Sequence, residues 1–427
     1  MKTVLLCLSL LMLLSMSVFA DHVAQDDITP DVPRDGIPPL DNPKYDPVAE
    51  ATWWADDDWM LVYERNGDAR AYPINIMNWH EIVNDTIGEL DVLVTYCPLC
   101  RSGIVFDRRW SQADISPEAQ GVLPEGTILE FGNTGSLYES DMVMYDRQTD
   151  SQWFQVGGDA LIGPLHGVTM KRLPSSMMPW IVFKDIHPHG LVLSKDTGYK
   201  NRDYDHDMFE RYSQNQERLY FGTSVKDERL PLKSRILGVG FDGVHRAYYL
   251  DSLDDGVYMD QVGQQPLVLF VQQSAGVAYD PRLDGRTLSF HFQDDAFVDE
   301  QTRSIWDFSG KATSGELEGS QLARLTQTNI YWFSWAIHQP DTDIVPEVDD
   351  FQPYAADETT APEPAVRASD VEMETESEPQ QTLNASSRED QTTDDESNAA
   401  MPSWIWGVLI GVVVALAGLL IFGLNKN

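Results

Sequence analysis

Cys97 and Cys100, in the run VTYCPLCRSG, are the residues whose type and spacing most directly suggest chemistry. Two thiols three positions apart on a proline-containing turn can serve three ends. They can point at one ion, as in the knuckles of zinc-ribbon and rubredoxin-like sites, although such sites usually draw on a second pair. They can form a disulfide, which over so short a loop would contribute only about 2 kcal/mol through the unfolded state. They can act as a thioredoxin-like redox pair, but that needs a helix beginning at the first cysteine to lower its pKa. Here Gly103-Ile104-Val105-Phe106 reads as continuing strand. A c-type haem is excluded, because Arg101 stands where the CxxCH motif needs histidine.

Two thiolates seldom complete a coordination shell, so the candidate helpers are His80, Met144 and Asp141, with copper or zinc as the candidate ion. The spacing Ile76-x-x-Trp79-His80-x-x-Val83 places His80 on an inward-facing apolar stripe, where it is either a ligand or a hydrogen-bonded core histidine. Asn84 replaces the second histidine of HExxH, which excludes a zinc protease of that type. Asp141 begins DMVMYD, in which Met142 and Met144 share one face of a strand. Thioether beside thiolate would suit Cu(I), and methionines filling a β core is the plainer reading. His187 and His189 flank Pro188 at the end of a helical pattern, where a histidine commonly serves the helix dipole. Asp203, Asp205 and Asp207 lack the glycine and terminal glutamate of a calcium loop and read as a solvated loop. The chain carries no nucleophile elbow, phosphate loop or dinucleotide fingerprint.

The elements that must position these residues occur twice. GDARAYP (Gly67 to Pro73) returns as GVHRAYY (Gly243 to Tyr249), and VLVTYCPLCRSGIVFD returns as LVLFVQQSAGVAYD. RQTDSQW followed by GDALIGPLHGVTMKRL returns as EQTRSIW followed by GKATSGELEGSQLARL. A period this long denotes two related halves. Residues kept in both, such as Arg70 and Arg246, Tyr72 and Tyr248, Asp85 and Asp260, or Trp153 and Trp306, read as scaffold. Residues present once, the cysteines above all, are the candidates for chemistry. The second copy is expected to be a degenerate scaffold that superposes on the first, with Trp153 over Trp306, Trp180 over Trp332, and the CPLC turn over Gln272 to Ala275.

Short strand-like runs predominate: Asp91 to Tyr96, Gly103 to Phe106, Thr127 to Phe131, Asp141 to Tyr145 and Val168 to Leu173. Helical patterns cover Ile74 to Asn84 and the stretches before His187-Pro188 and Gln339-Pro340, where proline forces a stop. The expected class is α+β, predominantly β, in two repeated lobes with few helices. The lobes are assigned to residues 49–193 and 236–345. A lead-in arm over 21–48 precedes them, and a polar surface connection over 194–235 joins them.

Residues 1–20 read as a secretory leader, with Lys2, an apolar core and Val18-Phe19-Ala20 as the cleavage site, so that Cys7 leaves with it. Residues 401–427 hold the charge-free run Trp404 to Leu424, long enough for a single transmembrane helix that would anchor the ectodomain outside the cytoplasm. Residues 346–400 carry sixteen acids against two arginines and read as a disordered, self-repelling tether. Taking those charges away from the formal net charge of −38 leaves −24, which makes nucleic acid and anionic lipid poor partners for the body.

The series GIPPLDNP, ARAYP, NWHEIVND, VTYCPLC, SDMVMYDRQTDSQW, GPLHG, QTRSIW and WFSWAIHQPDTDI resembles the domain-of-unknown-function family 3179, from about Gly36 to Ile344. The resemblance implies a secreted or anchored protein and no named activity. The chain departs from it at Arg101, where similar sequences usually place glycine. The expectation is an anchored extracytoplasmic protein with a Cys97/Cys100 site for metal binding or thiol redox work. The alternative is a non-enzymatic envelope scaffold that binds a ligand or another protein and carries a plain disulfide.

Overall fold

A computed structural model describes residues 23, 25–111, 119–224 and 226–346, all within one unit spanning Met1–Met373. The expected leader, most of the tether and the apolar C-terminal run lie outside the described residues. Among those described, no helix is long and apolar enough to cross a membrane.

The fold is mostly β with few helices. The lead-in arm contributes β1 (Thr29–Pro30), β2 (Leu40–Asp41) and β3 (Tyr45–Pro47). A first series follows: β4 (Trp59–Arg65), β5 (Asp68–Pro73), α1 (Ile74–His80), β6 (Ile82–Ile87), β7 (Leu90–Cys97) and β8 (Ser102–Asp107). It continues with β9 (Phe131–Tyr138), β10 (Asp141–Asp146), β11 (Gln152–Phe154), β12 (Asp159–Ile162), β13 (Arg172–Leu173), β14 (Ser176–Pro179), α2 (Trp180–Ile186) and β15 (Leu191–Leu193). The connection holds α3 (Glu210–Gln214).

The second series is β16 (Arg235–Phe241), β17 (Val244–Tyr249), a 3-10 turn at Leu250–Ser252, β18 (Gly256–Val262), β19 (Gln265–Gln272) and β20 (Ala275–Asp280). After the short pair β21 (Arg282–Leu283) and β22 (Arg286–Thr287) come β23 (Phe290–Gln293), β24 (Ala296–Asp299), β25 (Ile305–Trp306) and β26 (Ala312–Ser314). The chain closes with β27 (Ala323–Arg324), β28 (Thr328–Tyr331), α4 (Trp332–His338) and β29 (Asp343–Val345).

The two series pair their strands alike. β4 lies between β14 and β5, and β5 takes β15 in parallel; β16 lies between β28 and β17, and β17 takes β29 in parallel. β6-β7-β8-β13 is matched by β18-β19-β20-β27, and β9-β10-β11-β12 by β23-β24-β25-β26. Local chemistry explains the agreement. Asn66-Gly67 and Asp242-Gly243 turn the first hairpin of each series at positive φ, the turn whose twist matches its strands. Trp153 and Trp306 are both buried and donate Nε1–H to Asp146 and Asp299 over 2.9 and 3.0 Å. Thr149 and Thr302 bond the same aspartates. Trp180 and Trp332 each open a helix directly after a strand, and His187-Pro188 and Gln339-Pro340 lie beyond the ends of those helices.

The copies are not separately cored. β8 of the first pairs with β28 of the second, so one nine-stranded sheet runs β2-β6-β7-β8-β28-β16-β17-β29 with β13 attached to β8. One apolar cluster joins Met60 and Phe183 to Phe270 and Trp306, and another joins Leu93 and Trp153 to Ile236 and Trp332.

Three local expectations are corrected. α1 stops at His80 because Glu81 takes a left-handed conformation (φ 56°) and β-branched Ile82 and Val83 open a strand, so the helix does not reach Asn84. Strand β9 begins at Phe131, with only an isolated bridge at Ile128 before it. The run Val168 to Leu173 is strand only at Arg172–Leu173.

Candidate metal site

Cys97 closes β7, Ser102 opens β8, and the four-residue turn between them carries Cys100 into the interior. Cys97 and Cys100 are 1% and 0% exposed, and both thiols are free. Asp141, at the start of β10 and fully buried, joins them: the two sulfurs and a carboxylate oxygen all lie within 4.8 Å of one another.

The surroundings hold the groups in place. Ser102 Oγ donates to Gln155 Oε1 over 2.6 Å, so its single proton is committed and the Cys100 thiol, 3.0 Å away, is the donor to Ser102 Oγ. Gln155 Nε2 is fixed in turn by Thr95 Oγ1 at 2.9 Å. The turn's backbone is tied down from both sides. Tyr331 N–H donates to the Cys100 carbonyl over 2.8 Å, and Tyr212 O–H donates to the Leu99 carbonyl over 2.9 Å. The connecting segment is therefore partly a cover: Tyr212 is buried and packs against Tyr220 at 4.4 Å between ring centres.

Asp141 Oδ2 accepts from Ser334 Oγ at 2.7 Å and from His338 Nε2 at 3.3 Å, while Oδ1 is buried without a hydrogen-bond partner. Burial, together with the Cys97 thiol and the Asp141 carboxylate, pushes the Cys100 thiol well above its ordinary value. A thiol so placed is the opposite of an activated nucleophile, which needs an electropositive and partly exposed setting. Three potential anions around one orphaned acceptor instead form an environment that a cation would satisfy, since a bound ion inverts the local pKa logic.

The remaining candidates fall elsewhere. His80 is buried away from the cluster with both ring nitrogens in use. Nδ1–H donates to the Pro38 carbonyl over 2.8 Å, and Nε2 accepts from Tyr204 O–H over 2.7 Å. Burial holds its pKa down at about 4. It is a core histidine. Met144 is fully buried in the apolar cluster that also holds the cysteines, its backbone opposite Asn133 and Trp153. Met142 lies beside Asn133, whose Nδ2 is 3.5 Å from its sulfur. His187 is half-buried, its ring centre 5.2 Å from that of Phe183. Asp205 pairs with Lys195, Asp203 with His206, and Asp207 accepts from Asn78, so these three acids do not converge.

The second copy is more than a scaffold. Ser334 and His338 come from α4, whereas α2 carries Val182 and Ile186 at the matching positions. Polar residues confined to one copy were a legible signal there, as with the cysteines. Glu81 was also missed. It is buried, accepts from Asn133 Nδ2 over 2.6 Å, and lines a small hollow with Pro98, Leu99 and Met142 beside the cysteine turn. Burial raises its carboxyl to about 8.

Over residues 34–342 the chain matches the family described as "Protein of unknown function (DUF3179)", and it belongs to that family. Neither the curated proteins nor the solved structures include a match.

Proposed function

We propose that this family member is an extracytoplasmic metal-binding protein in which Cys97, Cys100 and Asp141 hold one transition-metal ion. The observation that supports the reading best is the buried Asp141 Oδ1, without a partner, beside two free and buried thiols. The donor set of two sulfurs and one carboxylate oxygen fits zinc, and His338 behind Asp141 would orient that carboxylate from the second layer. Copper(I), with its preference for soft donors, is the alternative ion, and Met144 belongs to the same buried apolar cluster as the two cysteines. Binding would release the Cys100 proton, so affinity should rise with pH. The reading also places the site outside the cytoplasm, on the strength of the leader-like residues 1–20 and the apolar run Trp404 to Leu424.

Metal analysis of the purified full chain, prepared without a chelating tag, tests the proposal. It should carry close to one ion per chain, lost in Cys97→Ser/Cys100→Ser and in Asp141→Asn but kept in His80→Ala. A metal-free protein that takes up neither zinc nor copper(I) under reducing conditions, and whose cysteines are oxidised to each other, would replace it with the plain disulfide.

A further inference from the structure

A cleft of about 590 Å³ opens where the first copy's β11–β12 region faces β16 and α4 of the second. The duplicated fold has a matching place, where β25–β26 face β4 and α2. That one is filled: Val62, Phe183, Trp306 and Phe308 belong to a single packed core. The repeat therefore supplies a control for the open cleft, and the residues that differ are informative.

Gly238 and Gly240 stand in β16 where β4 has Val62 and Glu64. A Cβ on Gly238 would come within 2.4 Å of the Trp335 ring, and one on Gly240 within 2.5 Å of the His245 ring. The missing side chains let both rings lie against the strand as one wall. Phe154 faces them across the cleft, where the second copy has Asp307. His338, in place of Ile186, forms the inner end, its ring 4.8 Å from Phe154 and its Nε2 on Asp141.

On a chain with a net charge of −38, this cleft gathers Arg172, His245 and His338 against the single acid Asp159, whose Oδ1 is taken by Thr169. Arg172 donates to Thr328 Oγ1 over 2.9 Å and to the Val156 carbonyl. Among the described residues it forms no ion pair. A part-buried guanidinium with Asp159 nearby but no ion pair, in a cleft also lined by Phe154 and Trp335, is a donor set suited to a planar anion.

We infer that the cleft binds a small organic carboxylate, its head group on Arg172 and His338 and its apolar body on Trp335 and Phe154. The bound anion would sit one hydrogen-bonded step, through His338 and Asp141, from the cysteine cluster. Binding itself does not depend on the metal reading. Its relevance to the cluster does.

Calorimetric titration of the purified full chain with acetate, benzoate and indole-3-acetate, each against its neutral amide, tests the inference. The aromatic acids should saturate, bind at least tenfold more tightly than their amides, and exceed acetate, and benzoate should quench tryptophan fluorescence. Arg172→Gln should weaken the acids tenfold or more and leave the amides unchanged. If that variant does not fold, the comparison of acid with amide on the unaltered protein decides alone. Acids binding no better than amides, or no saturation by any acid, would overturn the inference. Cys97→Ser/Cys100→Ser should still bind benzoate, so that loss of the ion and loss of the ligand are read separately.

Discussion

The same strand-turn-strand unit is built twice with different turns. Between β19 and β20, Gln273 and Ser274 both take left-handed conformations (φ 49° and 60°) and close a two-residue hairpin, a geometry suited to the twist of its strands. Between β7 and β8 the turn has four residues and places Arg101 at φ 53°. A non-glycine residue there costs about 1 to 2 kcal/mol. Both pairs of strands hold equivalent registers, so the longer turn adds nothing that the fold requires. What it adds is Cys97 and Cys100 aimed inward and the Arg101 guanidinium laid over Trp59, 4.7 Å from the ring centre. Scaffold and chemistry separate at this turn.

The sharpest way to break the comparison is to give the first copy the second copy's turn. Replacing the segment from Cys97 to Ser102 by Gln-Gln-Ser-Ala should abolish metal binding, measured by mass spectrometry. The circular dichroism spectrum should survive, with melting lowered by only a few degrees. Collapse of the fold would show that the cysteine turn is structural after all.

Next in size is a pH effect peculiar to the first copy, whose α1 and Glu81 are replaced in the second by a 3-10 turn. Glu81 has a folded value of about 8 against about 4.3 in an unfolded chain, so the native state holds the proton more tightly. Its contribution is complete below pH 4 and is lost as pH rises through 8, on the order of a few kcal/mol. Denaturant titrations from pH 5 to 9 should show that loss in the unaltered protein and a flatter profile for Glu81→Gln. Equal slopes would mean that Glu81 is not held neutral.

Where the copies agree, substitutions should agree. Trp153→Phe and Trp306→Phe each remove one indole bond to a buried aspartate and should cost about 1 to 3 kcal/mol apiece, matching within experimental error. Unequal losses would weaken the equivalence of the two cores. The smallest effect is expected for Arg101→Gly. Relief of the left-handed backbone, about 1 kcal/mol, is offset by loss of the contact with Trp59, worth about 0.5 to 1 kcal/mol at such sites. Melting should move by no more than a degree or two.

Much of the fold was legible because turn glycines, paired aromatics and prolines act locally, and each appears twice. The cysteine turn and Asp141 were legible as features of one copy only. His80 misled because helical periodicity reports that a side chain points inward but not what it meets, here the Pro38 carbonyl and Tyr204. Ser334 and His338 escaped because, although their restriction to one copy could be read, their partner Asp141 lies 193 and 197 residues away in the other, a contact without local signature. Glu81 escaped because a charged residue just beyond a helix ordinarily reads as exposed.

The bond between Gly103 and Asn329, which knits β8 to β28, also bears on how the molecule comes into being. A chain emerges from its N-terminus, and contacts so distant in sequence must wait until the second copy has followed the first. Until β28 and α4 arrive, β8 is paired on its far edge only by β13 and its Gly103 end is open, the Cys100 carbonyl lacks the Tyr331 amide, and Asp141 has neither Ser334 nor His338. The thiol cluster lies wholly in the first copy, yet the hydrogen bonds that hold its carboxylate wait for the second.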